Sequence, residues 1–167
     1  MNKVYLLIGG NLGDRLSNLD MAKTAISQSV GKIIIHSSIY ETAPWGNDNQ
    51  PMYLNQVLLV DTILAPSQLM QKLLEIEASM GRVRNGVNQP RSIDLDILYF
   101  NDQIINEEHL IIPHPRIHFR KFVLIPLNEI ESNLMDPLHK KSVGQLLLEC
   151  RDELEVHKIS LNVNKND

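Results

Sequence analysis

The chain has a single cysteine, Cys150, in 167 residues, so no disulfide can form within it. A fold stapled by cross-links is excluded, and a reducing compartment is the expected setting. No apolar run is long enough to span a bilayer. The short apolar stretch at residues 4–8 lacks the basic flank and the longer apolar core of a secretory signal, so a cytoplasmic location is expected. Basic charge is also scarce. The net charge is −4, whereas a general nucleic-acid binder would be basic. Aromatic residues make up 5% of the chain and show no pattern of stacking positions for RNA bases. There are no internal repeats and no low-complexity segment.

What is present is ordinary for one globular domain. Hydrophobic residues are 43% of the chain, enough for a full core at this length. The domain is expected over residues 1–161, with 162–167 a polar, frayed tail. Residues 3–8 form a buried strand, and the glycines of 9–14 form a turn. Asp14 caps a helix over about 15–30 with apolar residues along one face. A strand over 32–40 follows, then a loop over 41–52 rich in turn formers. A strand over 53–62 and a helix from Pro66 to about Met80 come next. After a second long loop, 82–90, comes a strand carrying two aspartates. Short extended pieces at 103–105 and 110–113, a short helix beginning near 119 and stopping before Pro126, a helix over 142–150 and an edge strand over 154–159 complete the chain. The order strand, helix, strand, strand, helix, strand is the split βαβ plan. It predicts an α+β, ferredoxin-like fold: an antiparallel sheet with two helices on one face, elaborated at the C-terminal end.

The stretch Pro90-Arg91-Ser92-Ile93-Asp94-Leu95-Asp96-Ile97-Leu98 organises the rest. Its period-two alternation sends Ile93, Leu95 and Ile97 into a core and Asp94 and Asp96 to the other face. The two carboxylates then lie roughly 6–7 Å apart and repel by about 3 kcal/mol at an effective dielectric of about 20. A divalent cation converts that repulsion into binding. Mg²⁺ takes oxygen ligands, often one or two carboxylates, with phosphates completing its shell. Taken alone, a D-x-D strand is more often just a solvated face. Its neighbours change the balance. Residues 82–91 hold Arg82, Arg84 and Arg91 and no acid; residues 113–128 hold His114, Arg116, His118, Arg120 and Lys121, again with no acid. Two basic segments flanking a carboxylate pair in an acidic protein suggest a phosphate site. His114 and His118 have the i,i+4 spacing of zinc ligands, but Pro115 between them and the lack of a third ligand argue against zinc. Glu77 stands near a helix C-terminus, where the dipole disfavours an acid, so another partner is expected for it.

With Gly81-Arg82-Val83-Arg84, Pro113-His114-Pro115-Arg116 and residues 120–127 beside the D-x-D block, the chain resembles the 6-hydroxymethyl-7,8-dihydropterin pyrophosphokinase family. Gly9-Gly10-Asn11-Leu12-Gly13, Tyr40-Glu41-Thr42-Ala43-Pro44 and Gln50-Pro51-Met52-Tyr53-Leu54-Asn55 match in the same order. The resemblance covers about residues 3–136. It implies transfer of pyrophosphate from ATP to the pterin's hydroxymethyl group, with release of AMP, in folate biosynthesis. It also implies that Asp94 and Asp96 hold two Mg²⁺ ions, and that Arg82 and Arg91 are catalytic through the phosphates. Glu77, Arg84, Arg91, Ile97, His114 and Arg120 would form the nucleotide site. Thr42, Ala43, Trp45, Tyr53, Asn55, Asp94 and Phe122 would form the pterin site. The partners are then small molecules only, with neither nucleic acid nor membrane, and a monomer is expected. The chain departs from the family pattern at Gly10, where serine is common, at Ala43, where proline is common, and at Asn88-Gln89, where many members have Trp-Gly. A ferredoxin-like nucleic-acid-binding module and an inactive, ligand-sensing relative are the alternatives.

Overall fold

A computed structural model describes residues 1–44, 49–81 and 91–161. The elements in chain order are β1 (Asn2–Gly10), α1 (Arg15–Ser29), β2 (Lys32–His36), β3 (Tyr40–Thr42), β4 (Tyr53–Thr62), α2 (Pro66–Ser79) and β5 (Asp94–Phe100). Then come the hairpin β6 (Ile105–Glu107) and β7 (Leu110–Ile112), a 3-10 turn (Ile117–Phe119) and α3 (Lys121–Glu131). The small ladder β8 (Met135–Asp136) and β9 (Lys141–Ser142), α4 (Val143–Glu149) and β10 (Val156–Lys158) close the chain. The main sheet is antiparallel, in the order β10-β3-β4-β1-β5, with β2 also paired to β4. Its core order is that of the ferredoxin-like plan.

Local chemistry sets the helix ends. Asp14 accepts a hydrogen bond from the Ser17 N–H at 3.1 Å to start α1. Pro66 opens α2, where its missing N–H costs nothing, and the Gln68 side chain accepts from the Ala65 N–H at 2.8 Å. Ser142 caps α4 through the Gln145 N–H at 3.1 Å.

The sheet is buried on both faces. On one, Leu19, Ala22 and Ile26 of α1 and Leu69, Leu73 and Ile76 of α2 pack against Val4, Leu6 and Ile8. On the other, Val123, Leu124 and Leu127 of α3 and Val143 and Leu146 of α4 pack against Tyr5, Leu7, Val57 and Leu59. The two helices expected on one face are α1 and α2, and the C-terminal elaboration supplies α3 and α4, which cover the second. The unbroken apolar runs of β1 and β4 are the sequence trace of burial on both sides.

Three further expectations change. The strand over 32–40 is two strands, because Ser37 turns its hydroxyl inward to accept from the Val57 N–H at 3.0 Å and interrupts the ladder. Gly9 and Gly10 belong to β1 rather than to a turn, paired with Asn55 and Leu54. The helix expected to stop before Pro126 runs through it. Pro126 forfeits one backbone hydrogen bond at a cost of about 3 kcal/mol. Burial of Val123, Leu124 and Leu127 returns about 1.5–3 kcal/mol each and outweighs that loss.

Candidate active site

β5 alternates as its sequence predicts. Leu95 and Ile97 are buried under α1 and α2, and Asp94 and Asp96 project from the other face, half-buried. Farther along, a β-bulge lies between the Leu6–Ile97 and Tyr5–Tyr99 pairs, so Leu98 and Tyr99 both enter the core beneath α3. The bulge ends the alternation just past the aspartates.

The register brings distant residues into line. Gly9 of β1 lies between Asn55 of β4 and Asp94 of β5, and Leu7 lies between Val57 and Asp96. Opposed residues in an antiparallel sheet point to the same face, so Asn55 and Asp94 flank a floor that has no side chain at Gly9. A Cβ at Gly9 would stand 2.3 Å from Asn55 Oδ1 and 2.8 Å from the Leu54 carbonyl oxygen. The Asn55 amide fills that space and donates to the Thr42 hydroxyl at 3.0 Å.

A cavity opens over this floor, with Thr42, Ala43, Tyr53 and Asn55 on one side and Arg91, Asp94 and Asp96 on the other. Arg120 and Phe122, at the start of α3, form its wall, with the Arg120 guanidinium carbon 5.4 Å from the centre of the Phe122 ring. Leu7, Gly9, Pro44 and Gln50 line it as well. These four had no assigned role in the sequence. Gly9, Pro44 and Gln50 stand inside the motif blocks, and that was the signal available.

Arg91 Nη1 pairs with Asp94 Oδ2 at 3.1 Å, with the two side chains 18% and 25% exposed. That shielding makes the pair stronger than an open surface bridge. Arg120 is pulled down from the usual arginine range by burial and by Arg116, against the opposing pull of Asp96 and Asp94. It thus stands within the field of both aspartates. His114 is fixed by its backbone N–H on the Leu98 carbonyl at 3.0 Å, and its Nδ1 accepts from the Arg116 N–H at 3.1 Å. Burial and the Arg120 charge push its imidazole down to about 4, so it is neutral at physiological pH.

Among the described residues, His114, Glu77 and Ile97 do not line the cavity. Glu77 is buried on α2 and accepts from the Leu95 N–H at 2.8 Å, which supplies the partner its helix position called for. The Ile97 side chain is in the core under α1 and α2, because it shares the parity of Leu95 and not that of the aspartates. Trp45, Arg82 and Arg84 lie outside the described residues.

The donor set fits Mg²⁺: two neighbouring carboxylates, with no histidine or cysteine among the described residues lining the cavity. Among the described residues no group of three or more metal-binding side chains occurs, so water or phosphate oxygens would fill most of the shell.

Residues 5–132 match the profile of the 7,8-dihydro-6-hydroxymethylpterin-pyrophosphokinase (HPPK) family. The 2-amino-4-hydroxy-6-hydroxymethyldihydropteridine pyrophosphokinase of Haemophilus influenzae is 39% identical over 164 residues, covering 97% of this chain and 99% of that protein. The Bacillus subtilis protein of the same name is 42% identical over 130 residues, 77% of this chain and 78% of its own. Plasmodium falciparum HPPK-DHPS, solved with SDX-DHP, superposes with a TM-score of 0.73 at 18% identity, covering 89% of this chain. This chain spans 43% of that one, and at such identity the likeness speaks for the fold alone. The match along most of the sequence, over a cavity that joins a carboxylate pair to a polar and aromatic wall, shows that the chain belongs to the 7,8-dihydro-6-hydroxymethylpterin-pyrophosphokinase family.

Proposed function

We propose that the cavity on the α3 face is where this chain transfers pyrophosphate from ATP to the hydroxymethyl oxygen of 6-hydroxymethyl-7,8-dihydropterin, a step of folate biosynthesis. One observation carries the assignment of residues: Asp94 and Asp96 share a single cavity with Thr42, Asn55 and Phe122. A phosphate site and a site for a flat, hydrogen-bonding ring are therefore adjacent.

The division of labour follows from chemistry. Thr42 and Asn55, held to each other, hydrogen-bond the pterin edge, together with the backbone at Ala43 and with Tyr53. Phe122 contacts the ring face. Arg91 and Arg120 hold the phosphates, and Arg91 offsets the charge that grows on the departing AMP. The hydroxymethyl oxygen attacks the β-phosphorus of ATP. A bond forms between that oxygen and the β-phosphorus, the bond from the β-phosphorus to the oxygen bridging to the α-phosphate breaks, AMP departs with that oxygen, and the hydroxyl proton is released to solvent. Asp94 and Asp96 would hold two Mg²⁺ ions. When bound, these supply neutralising charge to the phosphates and acidity to the attacking hydroxyl.

The test is product identity. ATP and the pterin are expected to give AMP and the pterin pyrophosphate in equal amounts, and ADP as product would reject the reading. Asp96→Ala is expected to lower kcat about a hundredfold or more while leaving Tm nearly unchanged, because an outward carboxylate is not core. Normal turnover in that variant would remove Asp96 from the reacting centre.

A further inference from the structure

Asn11 is almost fully buried, at 3% exposure, and does not line the cavity. Its amide nevertheless touches two segments far apart in sequence, at Gln50-Pro51 and at Arg91. Asn11 Oδ1 accepts from the Arg91 N–H at 2.9 Å. Asn11 Nδ2 donates to Gln50 Oε1 at 3.2 Å and to the Pro51 carbonyl at 3.1 Å. The Asn11 N–H donates to the Arg91 carbonyl at 2.9 Å. The orientation of the amide is fixed by its partners, since the Arg91 N–H can only donate and the Pro51 carbonyl can only accept. The chain of contacts continues, because Gln50 Oε1 also accepts from the Tyr53 hydroxyl at 3.2 Å. Gly10 makes the approach possible. A Cβ there would stand 2.2 Å from the Ser92 carbonyl oxygen, so only glycine lets the segment before β5 lie this close to β1.

We infer that Asn11 is a positioning residue that ties Arg91, on the phosphate side, to Gln50 and Tyr53, on the pterin side, through one buried amide. The inference rests on the proposed division of the cavity between the two substrates. Asn11 touches neither. It acts through Arg91, whose backbone it holds on both N–H and carbonyl, and through Gln50, whose side-chain oxygen it shares with Tyr53. No other common side chain supplies this set at this length. Asp keeps the acceptor and loses both donors, Ser cannot bridge, and Gln is one methylene too long for a site closed by the backbone of Arg91 and Pro51.

Asn11→Ala, Asn11→Asp, Gln50→Ala and the Asn11→Ala/Gln50→Ala double variant test this by steady-state kinetics in both substrates, with Tm measured alongside. Gln50→Ala cuts only the pterin limb and is expected to raise the pterin KM about fivefold or more, with kcat and the KM for ATP within about twofold of wild type. Asn11→Ala cuts both limbs and is expected to raise the pterin KM by a similar factor and also to lower kcat about tenfold. Asn11→Asp is expected to recover most of kcat but not the pterin KM. The double variant is expected to show a pterin KM no worse than that of Asn11→Ala, because the two side chains act in series. Additive effects on the pterin KM, or equal losses in the alanine and aspartate variants, would overturn the inference. If the Asn11 variants do not fold, Gln50→Ala alone decides: a pterin KM raised about fivefold at unchanged kcat supports the link, and an unchanged pterin KM rejects it. Failure of the wild type to form AMP would instead reject the proposed reaction, so the two failures are distinct.

Discussion

The Glu77 carboxylate, on α2, accepts the backbone N–H of Leu95, the residue between the two aspartates, at 2.8 Å. β5 ends the main sheet, so N–H groups on its outer side have no strand to receive them. Glu77 serves one of them from the helix face while the aspartates project from the opposite face. An acid at the wrong end of a helix dipole is thereby explained by a contact that fixes the aspartate strand.

Glu77→Ala is therefore expected to destabilise the fold by about 2–3 kcal/mol, since it leaves a buried N–H unmet and opens a small cavity. Glu77→Gln keeps an acceptor and is expected to lose less. Chemical denaturation of the ligand-free protein measures both. Equal stability of the alanine variant and wild type would leave Glu77 without this structural role.

Gly9→Ala is expected to cost about 1–3 kcal/mol, because the new methyl group would meet Asn55 Oδ1 at 2.3 Å and the Leu54 carbonyl at 2.8 Å. One neighbour is a side chain and the other is fixed backbone, so Asn55 must move. Pterin affinity is expected to fall more than ATP affinity, as isothermal titration would show. An unchanged pterin affinity would mean that Asn55 does not hold the ring.

Thr42→Val removes the hydroxyl that accepts from the Asn55 amide at 3.0 Å. The buried amide then loses its orientation, and the pterin KM is expected to rise about tenfold with kcat changed less. Thr42→Ser keeps the hydroxyl and should restore the wild-type value. A serine variant as impaired as the valine variant would assign the effect to the methyl group instead.

His114 predicts a pH dependence whose sign follows from its environment. Burial and the Arg120 charge bring its folded-state pKa down to about 4, against 6.5 for the ordinary group. The unfolded chain therefore binds the extra proton more readily. The stabilising contribution is fully present above pH 6.5 and is lost as pH falls from there through about 4. In metal-free protein, His114→Asn is expected to flatten the stability profile in this window while leaving the profile above pH 7 parallel to wild type. Thermal unfolding at several pH values checks it. An unaltered slope between pH 4 and 6 would show that His114 does not carry the linkage.

Much of this protein is settled by local sequence. The alternation of Ile93, Asp94, Leu95, Asp96 and Ile97 fixes which face of the strand is acidic, because side chains alternate about a strand whatever surrounds it. The bounds of β4, the proline start of α2 and the Asp14 cap of α1 follow from propensities that act over a few residues. The motif blocks, quoted in order, reach the family that the comparisons show. Tertiary structure decided what depends on distance between segments. Leucines and valines at helical spacing in α3 and α4 say that one side is buried but not against which face of the sheet. Gly9 and Gly10 look like turn residues in the chain, and only the approach of Asn55 and of the Ser92 backbone makes them strand residues that must lack a side chain. Asn11 carries no catalytic chemistry of its own. Its place between Arg91 and Gln50 exists only because residues 80 and 39 positions away in sequence meet at one amide, and no pattern along the chain encodes that meeting.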